Sequence, residues 1–314
     1  MAIPRRWRNA SIRWAHLRHD LGWLTYPQKK AGLQSPARCE GRKPSEGNAP
    51  DEWEETSDAH CIWVGVGDVS MRSEESSMTT TRVLFFDVLG TVVDWRSGIA
   101  REAGAFLARV GAEQVDPGEF ADAWASRYDA STEAMRTGQR PFVSLDVINR
   151  ENLDATLVQF GLAPSELPTA ELEELNLAWH RLEPWPDSLK GLARLKERFI
   201  IVPLSGANTR LLLDMAKRAG LPWDTVLGSD VFGTYKPAPQ AYLRAVEILG
   251  VRPAEAVLIA AHNDDLAAAR KCGIGTAFVA RPKEHGPTQT TDLSPLESWD
   301  FVADDLVHLA QVLP

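Results

Sequence analysis

Val83-Leu84-Phe85-Phe86-Asp87-Val88-Leu89-Gly90-Thr91 decides the fold. Four apolar residues in a row are too few for a helix and have no polar face, so they fit a strand buried on both sides. The run ends in an acid and then a glycine, as a buried parallel strand entering a loop does. Past Pro184-Trp185-Pro186-Asp187 the signals alternate: helix 187–197, strand 199–202, helix 208–219, strand 225–227, helix 238–249, strand 256–260, helix 264–272 and strand 276–279. Strands separated by helical stretches of ~10–15 residues predict an α/β fold with a doubly wound, parallel, Rossmann-like sheet.

Between these two regions the pattern is helical. Residues 99–111 place Ala103, Phe106, Leu107 and Val110 on one face. Residues 117–182 stay helical, punctuated at Gly138, Pro141, Gly161 and Pro168. Roughly 80 residues of helix are too many for a crossover connection. An inserted α-helical subdomain is expected over 98–183, with the Rossmann-like core at 82–97 and 184–314.

Composition bounds the rest. With 44% hydrophobic and 25% charged residues, the 314-residue chain has the balance of a globular protein. No stretch approaches the ~18 apolar residues of a membrane helix, and the N-terminus lacks the apolar core of a secretory signal. Three cysteines (Cys39, Cys61, Cys272) make no disulfide framework and lack metal-ligand spacing, so a reducing cytoplasm is expected. Residues 1–77 hold 11 Lys/Arg and 11 Asp/Glu, so the net charge of -9 belongs wholly to the remainder. An acidic body argues against a nucleic-acid surface. Within 1–77 the charges are blocked and five Trp follow no period. That predicts a disordered or non-native extension, with the functional protein starting near Met78.

Ligands of open α/β sheets sit at the carboxyl ends of the strands. There the sequence offers Asp87 and Thr91, then Ser205-Gly206-Ala207-Asn208, Lys236-Pro237 before a helix, and His262-Asn263-Asp264-Asp265. Each alone could be a helix cap or turn residue. The four in this order point to one catalytic cleft.

Phe86 to Asp94, Leu204 to Asn208, Tyr235 to Tyr242 and Ala260 to Asp265 together resemble the haloacid dehalogenase superfamily, and within it the type II 2-haloacid dehalogenases. The resemblance covers about residues 82–285, and the helical insertion lies where that family has its cap domain. It implies hydrolysis of short 2-haloacids to 2-hydroxy acids and halide, with Asp87 as nucleophile and an aspartyl ester as intermediate. Lys236 would keep Asp87 ionised. Ser205 and Thr91 would bond Asp87 or the substrate carboxylate, and Asp265 would orient Lys236 or the hydrolytic water. Leu89, Asn208, Tyr242, His262 and Arg127 are expected as substrate contacts, with no metal or cofactor and with a homodimer as the assembly.

Two departures sustain other readings. Magnesium-dependent phosphatases of the superfamily usually carry acids at the places of Leu89 and Ala261, so a phosphatase is the rival and is disfavoured. Related dehalogenases carry Asn and Arg, which accept the halide, at the places of Gly206 and Ala125. Their loss admits a weak or inactive relative acting as a binding module. Arg127 lies ~200° around the helix from Ala125 and cannot simply replace that arginine; Arg96 or Arg136 are the alternatives. Restoring both donors by Gly206→Asn with Ala125→Arg is expected to speed dehalogenation. His262, where some relatives have Asn, reads equally as a proton relay or as a loop histidine bonded to backbone.

Overall fold

The computed structural model describes residues 80–314. The expectations for residues 1–77 and for a start near Met78 lie outside the described residues. Strand β1 (Val83–Phe86) leads through residues 87–92 into β2 (Val93–Asp94) and helix α1 (Trp95–Arg109). Helices α2 (Pro117–Ala125), α3 (Tyr128–Arg136), α4 (Leu145–Gln159) and α5 (Thr169–Asn176) follow. The chain returns through the 3-10 turn Leu177–Arg181 and β3 (Glu183–Pro184), which pairs antiparallel with β2. The helical segment therefore leaves and re-enters through one short ribbon.

Beyond the ribbon come α6 (Ser188–Lys196), β4 (Ile200–Pro203), α7 (Thr209–Ala219), α8 (Ser229–Phe232) and α9 (Pro239–Ile248). They are followed by β5 (Ala256–Ala260), α10 (Asn263–Lys271), β6 (Gly275–Val279), β7 (Phe301–Ala303) and α11 (Leu306–Val312). The sheet order is β4-β1-β5-β6-β7, and every pairing is parallel. Side chains alternate across it: Leu84 and Phe86 enter one apolar cluster, Val83 and Phe85 the other. Each side chain so buried contributes roughly 1.5–3 kcal/mol. Both faces are thus covered by helices, the doubly wound Rossmann-like fold. The cluster holding Phe86 continues without a break to Trp124, Leu145 and Trp179 of the helical segment.

Strand β1 lies between β4 and β5, so the strand order reverses there and a crevice opens at its carboxyl end. The loop after β1 is fastened on several sides. Trp185 Nε1 donates to Gly90 O at 2.7 Å, Ser188 Oγ to Val92 O at 2.7 Å, and Arg281 Nε to Thr91 O at 2.8 Å. Arg281 also forms a two-pronged pair with Asp187 at 2.7 and 2.8 Å.

Three sequence expectations change. Residues 225–227 are not a strand; only Leu227 bridges to Leu204, because the chain turns into α8 at Ser229. Helix α1 starts at Trp95 instead of Ile99, capped by Asp94, whose carboxylate accepts from Ser97 N at 3.0 Å. Strand β7 and α11, in a region where no element was expected, extend the sheet beyond β6.

Candidate active site

Asp87 extends the ladder of β1 by one bond, its N–H donating to Ile259 O at 3.0 Å, and its carboxylate is buried at the crevice. Lys236 Nζ donates to Asp87 Oδ1 at 2.8 Å and to Asp265 Oδ2 at 2.5 Å. Thr91 Oγ1 donates to Asp87 Oδ2 at 2.7 Å and accepts from Ala261 N at 2.9 Å, so its proton is aimed at the acid. Tyr242 OH donates to Asp265 Oδ1 at 2.6 Å. Burial by itself would raise the pKa of Asp87, but Lys236 and His262 outweigh it and hold the carboxyl well below the usual range. Burial also works against charge on Lys236, yet Asp265 and Asp87 keep the ammonium above its ordinary pKa. Asp265, buried and facing the charge of Asp87, titrates above its usual value.

A third carboxylate completes the cluster, and sequence reasoning missed it. Glu284 is buried in the loop after β6 and accepts from Trp95 Nε1 at 3.0 Å. His262 Nε2 lies 3.0 and 3.1 Å from its two oxygens, while His262 Nδ1 is 3.3 Å from Asp87 Oδ2. The imidazole therefore bridges Asp87 and Glu284. Burial disfavours charge on it, but Glu284 and Asp87 prevail and raise its pKa well above the ordinary value. Gly90 makes room for this arrangement: its φ is +89°, and a Cβ there would overlap the Glu284 carboxylate. The available signal was position, because Glu284 also follows a strand, at one remove.

These groups open onto a cavity of about 1000 Å³. Its sheet side includes Asp87, Lys236, Ser205 and His262, and its helical side includes Tyr128, Ala125 and Trp179. Leu89 lines it too. Ser205 Oγ accepts from Ala207 N at 3.2 Å and does not bond Asp87. Three expected substrate contacts need correction. Arg127 turns to α4, donating to Thr156 Oγ1 at 3.1 Å and Gln159 Oε1 at 2.7 Å. Asn208 Nδ2 reaches Asp146 Oδ2 at 3.0 Å, which links α7 to the helical segment. Tyr242 is fully buried and spends its hydroxyl on Asp265.

Residues 81–273 match the family of haloacid dehalogenase-like hydrolases. The chain belongs to that family. Among these hydrolases, the crystal structure of a defluorinating L-2-haloacid dehalogenase aligns at a TM-score of 0.73 with 53% identity, covering 74% of this chain and 95% of that one. The (S)-2-haloacid dehalogenase of Xanthobacter autotrophicus is 34% identical over 136 residues, 43% of this chain and 52% of that protein. This chain thus matches about half the length of that relative. The phosphoglycolate phosphatase of Aquifex aeolicus (strain VF5) is 26% identical over 197 residues, 63% of this chain and 84% of that one.

A magnesium ion, which phosphatases of this hydrolase family use, does not fit the donor set. Ala261 offers no side-chain oxygen, and Asp265 is engaged by Lys236 and Tyr242. Among the described residues no three His, Cys, Asp or Glu side chains converge on a cation site.

Proposed function

We propose that this hydrolase cleaves the carbon–halogen bond of short 2-haloacids, giving 2-hydroxy acids and halide through an ester on Asp87. The observation that carries the reading is Leu89. It lines the cavity two residues after an ionised Asp87, where a carboxylic acid would be needed to protonate a departing oxygen. Halide departs unprotonated and needs no acid.

In the first step a carboxylate oxygen of Asp87 attacks the carbon bearing the halogen. The new carbon–oxygen bond forms as the carbon–halogen bond breaks, and the electron pair leaves with the halide. Lys236 and Thr91 fix the nucleophile, and the Ser205 hydroxyl and loop N–H groups offer donors to the substrate carboxylate. Forming the ester removes the negative charge beside His262 Nδ1. That loss takes away one of the two anions that keep the imidazole protonated, so it can release its proton. Neutral His262, oriented by Glu284, then takes a proton from water attacking Asp87 Cγ and passes it to the leaving hydroxy-acid oxygen. The Asp87 carboxylic acid so formed returns its proton to His262, restoring carboxylate and imidazolium, so the proton that His262 gave to solvent is the one released per turnover. The helical segment over 98–183 serves as the cap that excludes bulk water.

Halide release from 2-chloro-, 2-bromo- and 2-fluoropropionate, measured in EDTA with 2-hydroxy acid as co-product, tests this. Magnesium-dependent phosphate release from phosphate monoesters, without halide release, would replace dehalogenation with the phosphatase.

A further inference from the structure

Dehalogenation leaves one charge to be received, that of the departing halide. Ala125 and Gly206 supply no side-chain donor, and both arginines considered for the task are engaged elsewhere. Arg96 grips Asp122 at 2.7 and 2.8 Å. Arg136 is held by Glu133 at 2.7 Å and Thr132 at 2.5 Å. Neither arginine lines the cavity.

Gly206 points to what replaces them. A Cβ on Gly206 would overlap the Tyr128 hydroxyl and come within 3.0 Å of Cζ of the ring. The phenol of α3 therefore occupies the volume that a side chain at 206 would take. Its ring stands edge-on to Tyr235, with centroids 6.1 Å apart at 84°, and Tyr235 stacks on Phe142 at 5.3 Å. Tyr235 is in turn pinned by its hydroxyl donating to Val143 O at 2.7 Å. Among the described residues the Tyr128 hydroxyl has no protein hydrogen-bond partner, although Tyr128 lines the same cavity as Asp87 and Lys236. Burial pushes the phenol well above its ordinary pKa, so it keeps its proton.

We infer that the Tyr128 hydroxyl donates a hydrogen bond to the halide as it leaves, and that Gly206 exists to admit it. This rests on the dehalogenase reading. The phenol keeps its proton throughout; it stabilises charge that appears on the halogen while the Asp87–carbon bond forms. The expectation that Gly206→Asn with Ala125→Arg speeds the reaction is thereby corrected, since asparagine cannot be seated at 206 with Tyr128 in place.

The test is single-turnover halide release by wild type and Tyr128→Phe on the three 2-halopropionates, together with chloride binding followed by 35Cl NMR line broadening. Phenylalanine keeps the ring packing. Loss of one such donor typically costs ~10²–10³ in rate. The expected loss is largest for fluoride and smallest for bromide, with KM little changed and chloride broadening abolished. Gly206→Ala should give the same graded loss, and much less further loss when combined with Tyr128→Phe. Equal losses on all halogens with a raised KM would assign the phenol to the substrate carboxylate and overturn the inference. So would undiminished chloride binding by Tyr128→Phe, or fully multiplicative effects of the two substitutions. Chloride binding is read without turnover. A wild type that binds chloride through Tyr128 but releases no halide therefore sinks the dehalogenase reading and leaves the anion site standing.

Discussion

The sheet side and the helical side of the cavity treat their polar groups differently. On the sheet side Asp87, Lys236, Asp265, His262 and Glu284 each have at least two charged or hydrogen-bonding partners. On the helical side the Tyr128 hydroxyl has none among the described residues, and neither the buried Trp179 Nε1 nor the buried Asn149 Nδ2 has one. Buried charges are paired by neighbours, because an unpaired buried charge is costly. Uncharged donors cost less to leave open, and a ligand can complete them. The sheet side therefore fixes the reaction, and the helical side reads what is brought to it.

Removing the nucleophile breaks the sheet side outright. Asp87→Asn should lower halide release at least ~10³-fold while the protein stays folded, because a neutral amide is no nucleophile. Normal initial rates in freshly prepared protein, checked by mass for reversion to Asp, would remove Asp87 from its role.

His262→Ala and Glu284→Gln should strike the second half-reaction, with losses of ~10²–10⁴ for His262. Halide should still appear in a burst of about one equivalent, and the ester on Asp87 should be visible by mass spectrometry. A proportionate slowing of the burst, with no ester trapped, would move the pair out of ester hydrolysis.

Lys236→Ala should cost ~10²–10³. It also carries a pH signature. The charge of Lys236 is foremost among the influences that depress the Asp87 pKa, so that pKa rises when it is removed. The acid limb of single-turnover halide release should therefore move to higher pH, activity being lost earlier as pH falls. A limb at an unchanged pH would contradict the pairing.

The smallest effect belongs to a contact between the two sides. His180 Nε2 meets Asp146 at 2.9 Å, and its Nδ1 meets Asp214 of α7 at 3.0 Å. Burial opposes charge on His180, but the two carboxylates outweigh it and raise its pKa. Its contribution to stability is then full below the unfolded value of ~6.5 and is lost as pH rises through the folded pKa. Relative to His180→Asn, wild type should lose its advantage as the pH climbs from about 6.5 through the raised pKa of the folded state. Parallel melting curves over that range would show that the histidine is not charged.

How much of this was legible in the sequence depended on where the residues stand. Asp87, Thr91, Lys236 and Asp265 follow strands or open a helix at recognisable spacing, and the structure brings all four together. Glu284 was hidden because several irregular residues separate it from the end of β6. Its seat also depends on Gly90, a pairing visible only in space. Arg127 illustrates the converse. Periodicity assumed one helix through Ala125 and Arg127, whereas α2 ends at Ala125 and Arg127 sits in the turn before α3, where α4 captures it. The meeting of Tyr128 with Gly206 lay beyond local pattern for the same reason: nothing in α3 announces which strand end it faces.

The apolar cluster that runs from Phe86 into Trp124 and Trp179 has a consequence for how the molecule comes apart. A lid with its own core could be melted or deleted while the sheet survives. Here the interior beneath one face of the sheet is made partly by the insertion, so the two must lose their order in a single cooperative event. Excising the inserted helices would strip that face bare and leave an aggregating remnant instead of a smaller enzyme. The insertion is an addition in the chain's linear order, yet in its thermodynamics it is an indivisible part.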